Sequence, residues 1–199
     1  MRKFFVLGSL IALLVPTASH AQFQVGARLG YAPAMGDAVK DGAMSDGVKS
    51  QIPLQLDAGY KLNKDVTVGL YFAYGIGQLA SDVCPSGASC SASDIRVGAQ
   101  ALYTFNEVKA ALVPWAGVGL GYEQGSAKIE DFKTTFSGYE LNLQAGGDYK
   151  VNEQFSVGPY VQLAVAQYGK AKVDGVSGDI TDKALHQWLG FGVAGKFNL

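Results

Sequence analysis

The sequence predicts an all-β fold, an eight-stranded antiparallel up-and-down β-barrel, on three observations. A short phrase recurs at a nearly fixed interval, apolar and polar residues alternate beside each copy, and the connections are short at one end of the strands and long at the other. Tyr60-Lys61-Leu62-Asn63 returns as Tyr103-Thr104-Phe105-Asn106 and as Tyr149-Lys150-Val151-Asn152, and the last residues repeat it as Gly195-Lys196-Phe197-Asn198. The asparagines are 43, 46 and 46 residues apart, so the unit is about two strands long. Strand starts repeat as well: Val25, Val68, Leu112 and Val157 are spaced 43, 44 and 45 residues. Each unit is strand, long connection, strand, short turn, and four units make eight strands.

The chain opens with an address. Met1-Arg2-Lys3 is basic, residues 4–15 are an apolar run of twelve, and Ser19-His20-Ala21 places small residues three and one before a cleavage point. Residues 1–21 therefore read as a secretory signal peptide and 22–199 as one barrel domain. The apolar run falls short of the roughly 20 residues a spanning helix needs. Without Arg2 and Lys3 the domain keeps 14 basic against 17 acidic residues, a net charge of −3, which gives no support to nucleic-acid binding, a function that wants a basic patch.

Strands are expected over 23–31, 51–62, 66–77, 94–105, 110–122, 138–151, 155–168 and 184–199. Long connections fall at 32–50, 78–93, 123–137 and 169–183, rich in Asp, Lys, Ser and Gly. Short turns fall at 63–65, 106–109 and 152–154, each opened by a repeat asparagine. No 3.6-residue periodicity follows the signal peptide. Cys84 and Cys90, the only cysteines, lie in the second long connection of an exported chain and are expected to form a disulfide. A metal site there lacks further ligands, since the one histidine of the domain, His186, is distant in sequence.

Alternation leaves open which face is wet. In the sixth strand Tyr139, Leu141, Leu143, Ala145, Tyr149 and Val151 oppose Glu140, Asn142, Gln144, Gly146, Asp148 and Lys150. A soluble lipocalin-like barrel turns the apolar face inward and a membrane barrel turns it outward. The polar face is too lean in Lys and Glu to be a soluble protein's skin, charged residues being 17% of the chain against about 25% in ordinary domains. Aromatics gather near strand ends (Phe23, Tyr60, Tyr103, Phe105, Tyr139, Tyr149, Phe155 and Phe197), where lipid headgroups would lie. The barrel is thus expected to span a membrane.

The signal peptide, the eight alternating strands, the strand Pro114-Trp115-Ala116-Gly117-Val118-Gly119-Leu120-Gly121-Tyr122 and the C-terminal strand together resemble the small outer-membrane β-barrel family that includes OmpX and the transmembrane part of OmpA. The resemblance implies residence in the bacterial outer membrane, among its lipid and lipopolysaccharide. It also implies handling by the barrel-assembly machinery, which reads a terminal aromatic; here the last residue is Leu199 and the nearest aromatic is Phe197.

With polar faces inward, the expected lumen residues are Arg28, Asp57, Lys61, Arg96, Glu140, Asp148, Lys150 and Lys196. Enclosed charge is costly unless paired, so ion pairs bridged by Gln55, Gln100 and Gln144 are expected. Arg28, Tyr71, Trp115 and Tyr160 occupy equivalent repeat positions, which would set a cation among aromatic rings. The network is expected to plug the lumen, eight strands enclosing only room for side chains; a gate for a narrow channel passing small or hydrophobic solutes is the alternative. No enzyme is expected, because His186-Gln187-Trp188 has no serine at the spacing of a lipid-deacylating His-x-Ser pair. Nor is a cofactor, the Asp-Gly pairs lacking calcium-loop spacing. The long connections are the candidate surface for an extracellular partner.

Overall fold

The computed structural model describes residues 22–108 and 110–199; the signal peptide expected over 1–21 lies outside the described residues. Its strands are β1 (Phe23–Val39), β2 (Gly42–Ala43), β3 (Val48–Lys61), β4 (Val66–Leu79), β5 (Cys90–Thr104), β6 (Leu112–Ile129), β7 (Phe132–Lys150), β8 (Phe155–Val173), β9 (Val176–Asp179) and β10 (His186–Asn198), with a one-turn helix α1 (Met44–Gly47). Eight of the strands form the wall. β1 pairs with β3, each following wall strand pairs antiparallel with the next, and β10 pairs with both β8 and β1. The last pairing leaves the barrel without an edge, which is how a sheet avoids exposing unpaired backbone groups to lipid.

The apolar face points outward. Along β7, Tyr139, Leu141, Leu143 and Tyr149 are exposed on the outer surface while Glu140, Asn142 and Gln144 are buried within. Tyr139 and Tyr149 are ten positions apart, ~33 Å along a strand. At a tilt of ~40° that span is ~25 Å of height, the thickness of an outer-membrane barrel's apolar band. Edge-to-face pairs mark both rims: Phe23 with Tyr60 and Tyr103 with Phe105 at the short-turn end, Tyr31 with Phe191 and Tyr122 with Tyr139 at the other.

The recurring asparagines build the short-turn rim in two ways. Asn63 accepts from the backbone N–H groups of Asp65 (2.9 Å) and Val66 (2.8 Å), and Asn152 from those of Gln154 (2.9 Å) and Phe155 (2.7 Å), each closing its own turn. Asn106 instead donates to Asp65 Oδ1 (3.1 Å) and Asn198 donates to the Gln154 carbonyl (3.3 Å), tying neighbouring turns together.

Two of the expected long connections are mostly strand. Residues 123–137 are a continuous hairpin that turns at Glu130 and Asp131, and 169–183 hold the β8–β9 hairpin, which turns at Asp174 and Gly175. Glu130 and Asp174 take positive φ there, at 52° and 46°. Alternation fades in these stretches because the strands have left the lipid: Ser126, Lys128, Lys133 and Thr135 stand where a membrane-spanning strand would bring Leu or Val into its pattern, yet the backbone ladder continues. The first connection, too, is largely strand, made by the extensions of β1 and β3 with β2 between them, and α1 is too short to register as a helical period.

Cys84 and Cys90 are bonded, closing the β4–β5 connection. The loop closed is short, so Cys84→Ser with Cys90→Ser should lower the free energy of unfolding by no more than ~2 kcal/mol. Limited proteolysis should instead show faster cleavage between Ala80 and Ser89 in the variant.

Candidate functional site

The lumen is filled in three tiers. Nearest the short turns, Lys196 donates to Asp148 Oδ2 (2.7 Å) and its ammonium lies 4.0 Å from the Trp115 ring centre. The Trp115 indole N–H donates to Asp148 Oδ1 at 2.9 Å, so both carboxylate oxygens are engaged. Lys61 and Lys150 stand at the rim of a polar vestibule of about 180 Å³ that Lys196 also lines, and neither is ion-paired among the described residues.

The middle tier centres on Arg28. Its Nε donates to Asp57 Oδ2 (2.7 Å), one terminal nitrogen to Gln144 Oε1, and the other to Gln100 Oε1 (3.4 Å). Gln55 and Gln100 each donate to Asp57 Oδ1 at 2.8 Å, and Gln144 donates to Gln100 (3.0 Å) and Asn142 (3.2 Å). The guanidinium carbon lies 5.4 Å from the Trp115 ring centre and 5.8 Å from that of Tyr160. Tyr71, although equivalent in the repeat, turns away: its hydroxyl donates to Glu140 Oε1 (2.7 Å) and accepts from Asn142 (3.1 Å). The reason is space. A Cβ at Gly98 or Gly121 would lie within 2.6 Å of Tyr71 side-chain atoms, so those glycines make the slot the phenol fills.

The upper tier holds Asp94, Arg96, Glu123, Glu140, Tyr168, His186 and Trp188. Arg96 Nη1 donates to Glu140 Oε2 (3.4 Å), and its Nε is 3.1 Å from Asp94 Oδ2 in an ion pair without hydrogen-bond alignment. A single oxygen of Glu123 accepts from Tyr168 (3.0 Å), Trp188 (3.0 Å) and His186 Nε2 (3.1 Å). Tyr168 also stacks on the His186 ring at 4.1 Å. Glu123 and His186 are fully buried, which makes this the most enclosed polar cluster in the lumen.

The barrel thus brings Arg28 to Asp57, Arg96 to Glu140 and Lys196 to Asp148, and leaves Lys61 and Lys150 apart at the rim. Glu123 is not among the lumen residues expected from sequence, because it falls in a stretch that reads as a connection. Gly119, Gly121 and Glu123 continue one face of β6, and that register is the signal for it.

The model of the family described as outer membrane protein beta-barrel domain matches residues 5–197. Among solved structures, Neisserial surface protein A is similar with 17% identity and a TM-score of 0.58, over 89% of this chain and 97% of that one. OprG from Pseudomonas aeruginosa is similar with 15% identity and a TM-score of 0.59, over 89% and 96%. A major outer membrane protein from Thermus thermophilus is similar with 13% identity and a TM-score of 0.51, over 88% and 99%. No curated protein sequence matches.

Proposed function

Because the chain belongs to the outer membrane protein beta-barrel domain family, and so resides in the outer membrane, we propose that it is a closed, non-conducting barrel whose role is structural or lies in contacts made by the parts projecting beyond the membrane. One observation carries this reading: all eight wall strands send a polar or aromatic side chain into the lumen, seven of them into the middle and lower tiers and β4 through Tyr71, which bonds Glu140 above and Asn142 beside it. Arg28, Asp57, Tyr71, Gln100, Trp115, Gln144, Tyr160 and Lys196 come from β1, β3, β4, β5, β6, β7, β8 and β10 in turn, and their crowding across the lumen supports a plug. Replacing such a network's members singly strands buried partners, so it resists rearrangement into an open path.

The projecting hairpins and the outer connections are the surface through which an extracellular partner or lipopolysaccharide would be met. An enzymatic role finds no support in the histidine, whose Nε2 is committed to Glu123 inside the barrel. Liposome swelling tests the reading. Vesicles carrying the protein should exclude arabinose and glycine as protein-free vesicles do, and Arg28→Ala with Gln144→Ala, which removes two of the side chains that cross the middle tier, should raise permeation. Swelling by the parent protein at porin-like rates would reject the plug.

A further inference from the structure

Above the plug the lumen is hollow. A cavity of about 150 Å³ lies beneath α1, walled by Ala38, Met44, Val48, Ala92, Phe136 and Trp188. That volume, in an apolar site, is enough to hold a benzene ring. Its floor is not apolar. Gln51 and Asp94 line it, both at least 95% buried; Asp94 lies 3.1 Å from Arg96 Nε, yet neither the Gln51 amide nor the Asp94 carboxyl group completes an aligned hydrogen bond among the described residues. Buried polar groups left without partners are costly, and two at the base of one cavity mark where a ligand's polar end would sit.

The charge around that floor sets the sign. Asp94, Glu123 and Glu140 share this tier with a single guanidinium, Arg96, and one imidazole, His186. Three carboxyl groups to one permanent cation leave the outer half of the lumen short of positive charge, whereas Lys61, Lys150 and Lys196 crowd the opposite end. We propose that the outer cavity is a binding site for a small aromatic or compact aliphatic ammonium compound, its apolar body against Met44, Phe136 and Trp188 and its N–H groups donating to Asp94 and Gln51. The ammonium supplies aligned donors and a second cation to a floor that has Arg96 alone, while the apolar body occupies the dry walls. The site is a dead end above the plug, and its occupancy is independent of whether the lumen conducts.

Titration of the refolded protein in micelles with benzylammonium, followed by intrinsic tryptophan fluorescence, tests this directly, with benzyl alcohol as the neutral probe of the same size. Saturable binding is expected, at least tenfold tighter for benzylammonium. Asp94→Asn should cut that preference to under threefold. Ala92→Leu, which fills the cavity and leaves the polar tiers untouched, should abolish binding of both probes while the heat-modifiable migration of a folded barrel is kept. No saturation at ~10 mM, equal affinity for the two probes, or unchanged binding in Ala92→Leu would overturn the proposal.

Discussion

Arg28→Ala should lower the free energy of unfolding by ~3–5 kcal/mol, the cost of leaving a buried charge without its partner. Arg28 is 1% exposed and carries the middle tier through bonds to Asp57, Gln100 and Gln144, so its loss takes the ion-pair partner from Asp57 and the donor from Gln144 Oε1 at once. Adding Asp57→Asn removes the orphaned charge and should recover at least half of the loss, since residues in one network are coupled rather than additive. Urea unfolding in detergent micelles, read by intrinsic fluorescence, measures both variants. A loss under ~1 kcal/mol for Arg28→Ala would mean that water reaches Asp57 freely, which a closed plug does not allow.

The second large effect falls on Glu123. Glu123→Leu deprives Tyr168, Trp188 and His186 of their common acceptor, and three buried donors at ~1–3 kcal/mol each give an expected loss of ~3 kcal/mol or more. Glu123→Gln retains a carbonyl oxygen in the same place and should cost less than half as much. Equal losses for the two substitutions would show that charge, rather than the shared acceptor, holds the upper tier. The same unfolding assay separates these results.

How far the lumen can be read from sequence follows from what strand alternation carries. Period two tells inside from outside, so Arg28, Asp57, Arg96, Glu140, Asp148 and Lys196 fall on the inner face, and Tyr139 and Tyr149 on the outer. It says nothing of height. Strand tilt shears the repeat-equivalent positions, which is why Tyr71 ends beside Glu140 rather than under Arg28 with Trp115 and Tyr160. Pairing partners therefore require the register.

The outer third is hidden for a different reason. Where β6, β7 and β8 rise out of the lipid, Ser, Thr and Lys interrupt the run of Leu and Val, and the hydropathy contrast that marks a strand disappears although its hydrogen bonds persist. Glu123 lies at the start of such a stretch, where only the continued register of Gly119 and Gly121 marks it as strand. The outer cavity is equally invisible, because Val48, Ala92 and Phe136 reach one space only once α1 and three separate strands close around it.

Single-channel recording in planar bilayers tests the closed lumen most directly. Purified protein should insert and give no conductance step above the bare membrane at any holding voltage, while Arg28→Ala with Gln144→Ala gives small, resolvable steps. Reproducible steps from the parent protein, altered in size or selectivity by Glu140→Ala or Arg96→Ala, would contradict the plug and make the same side chains the lining of a channel.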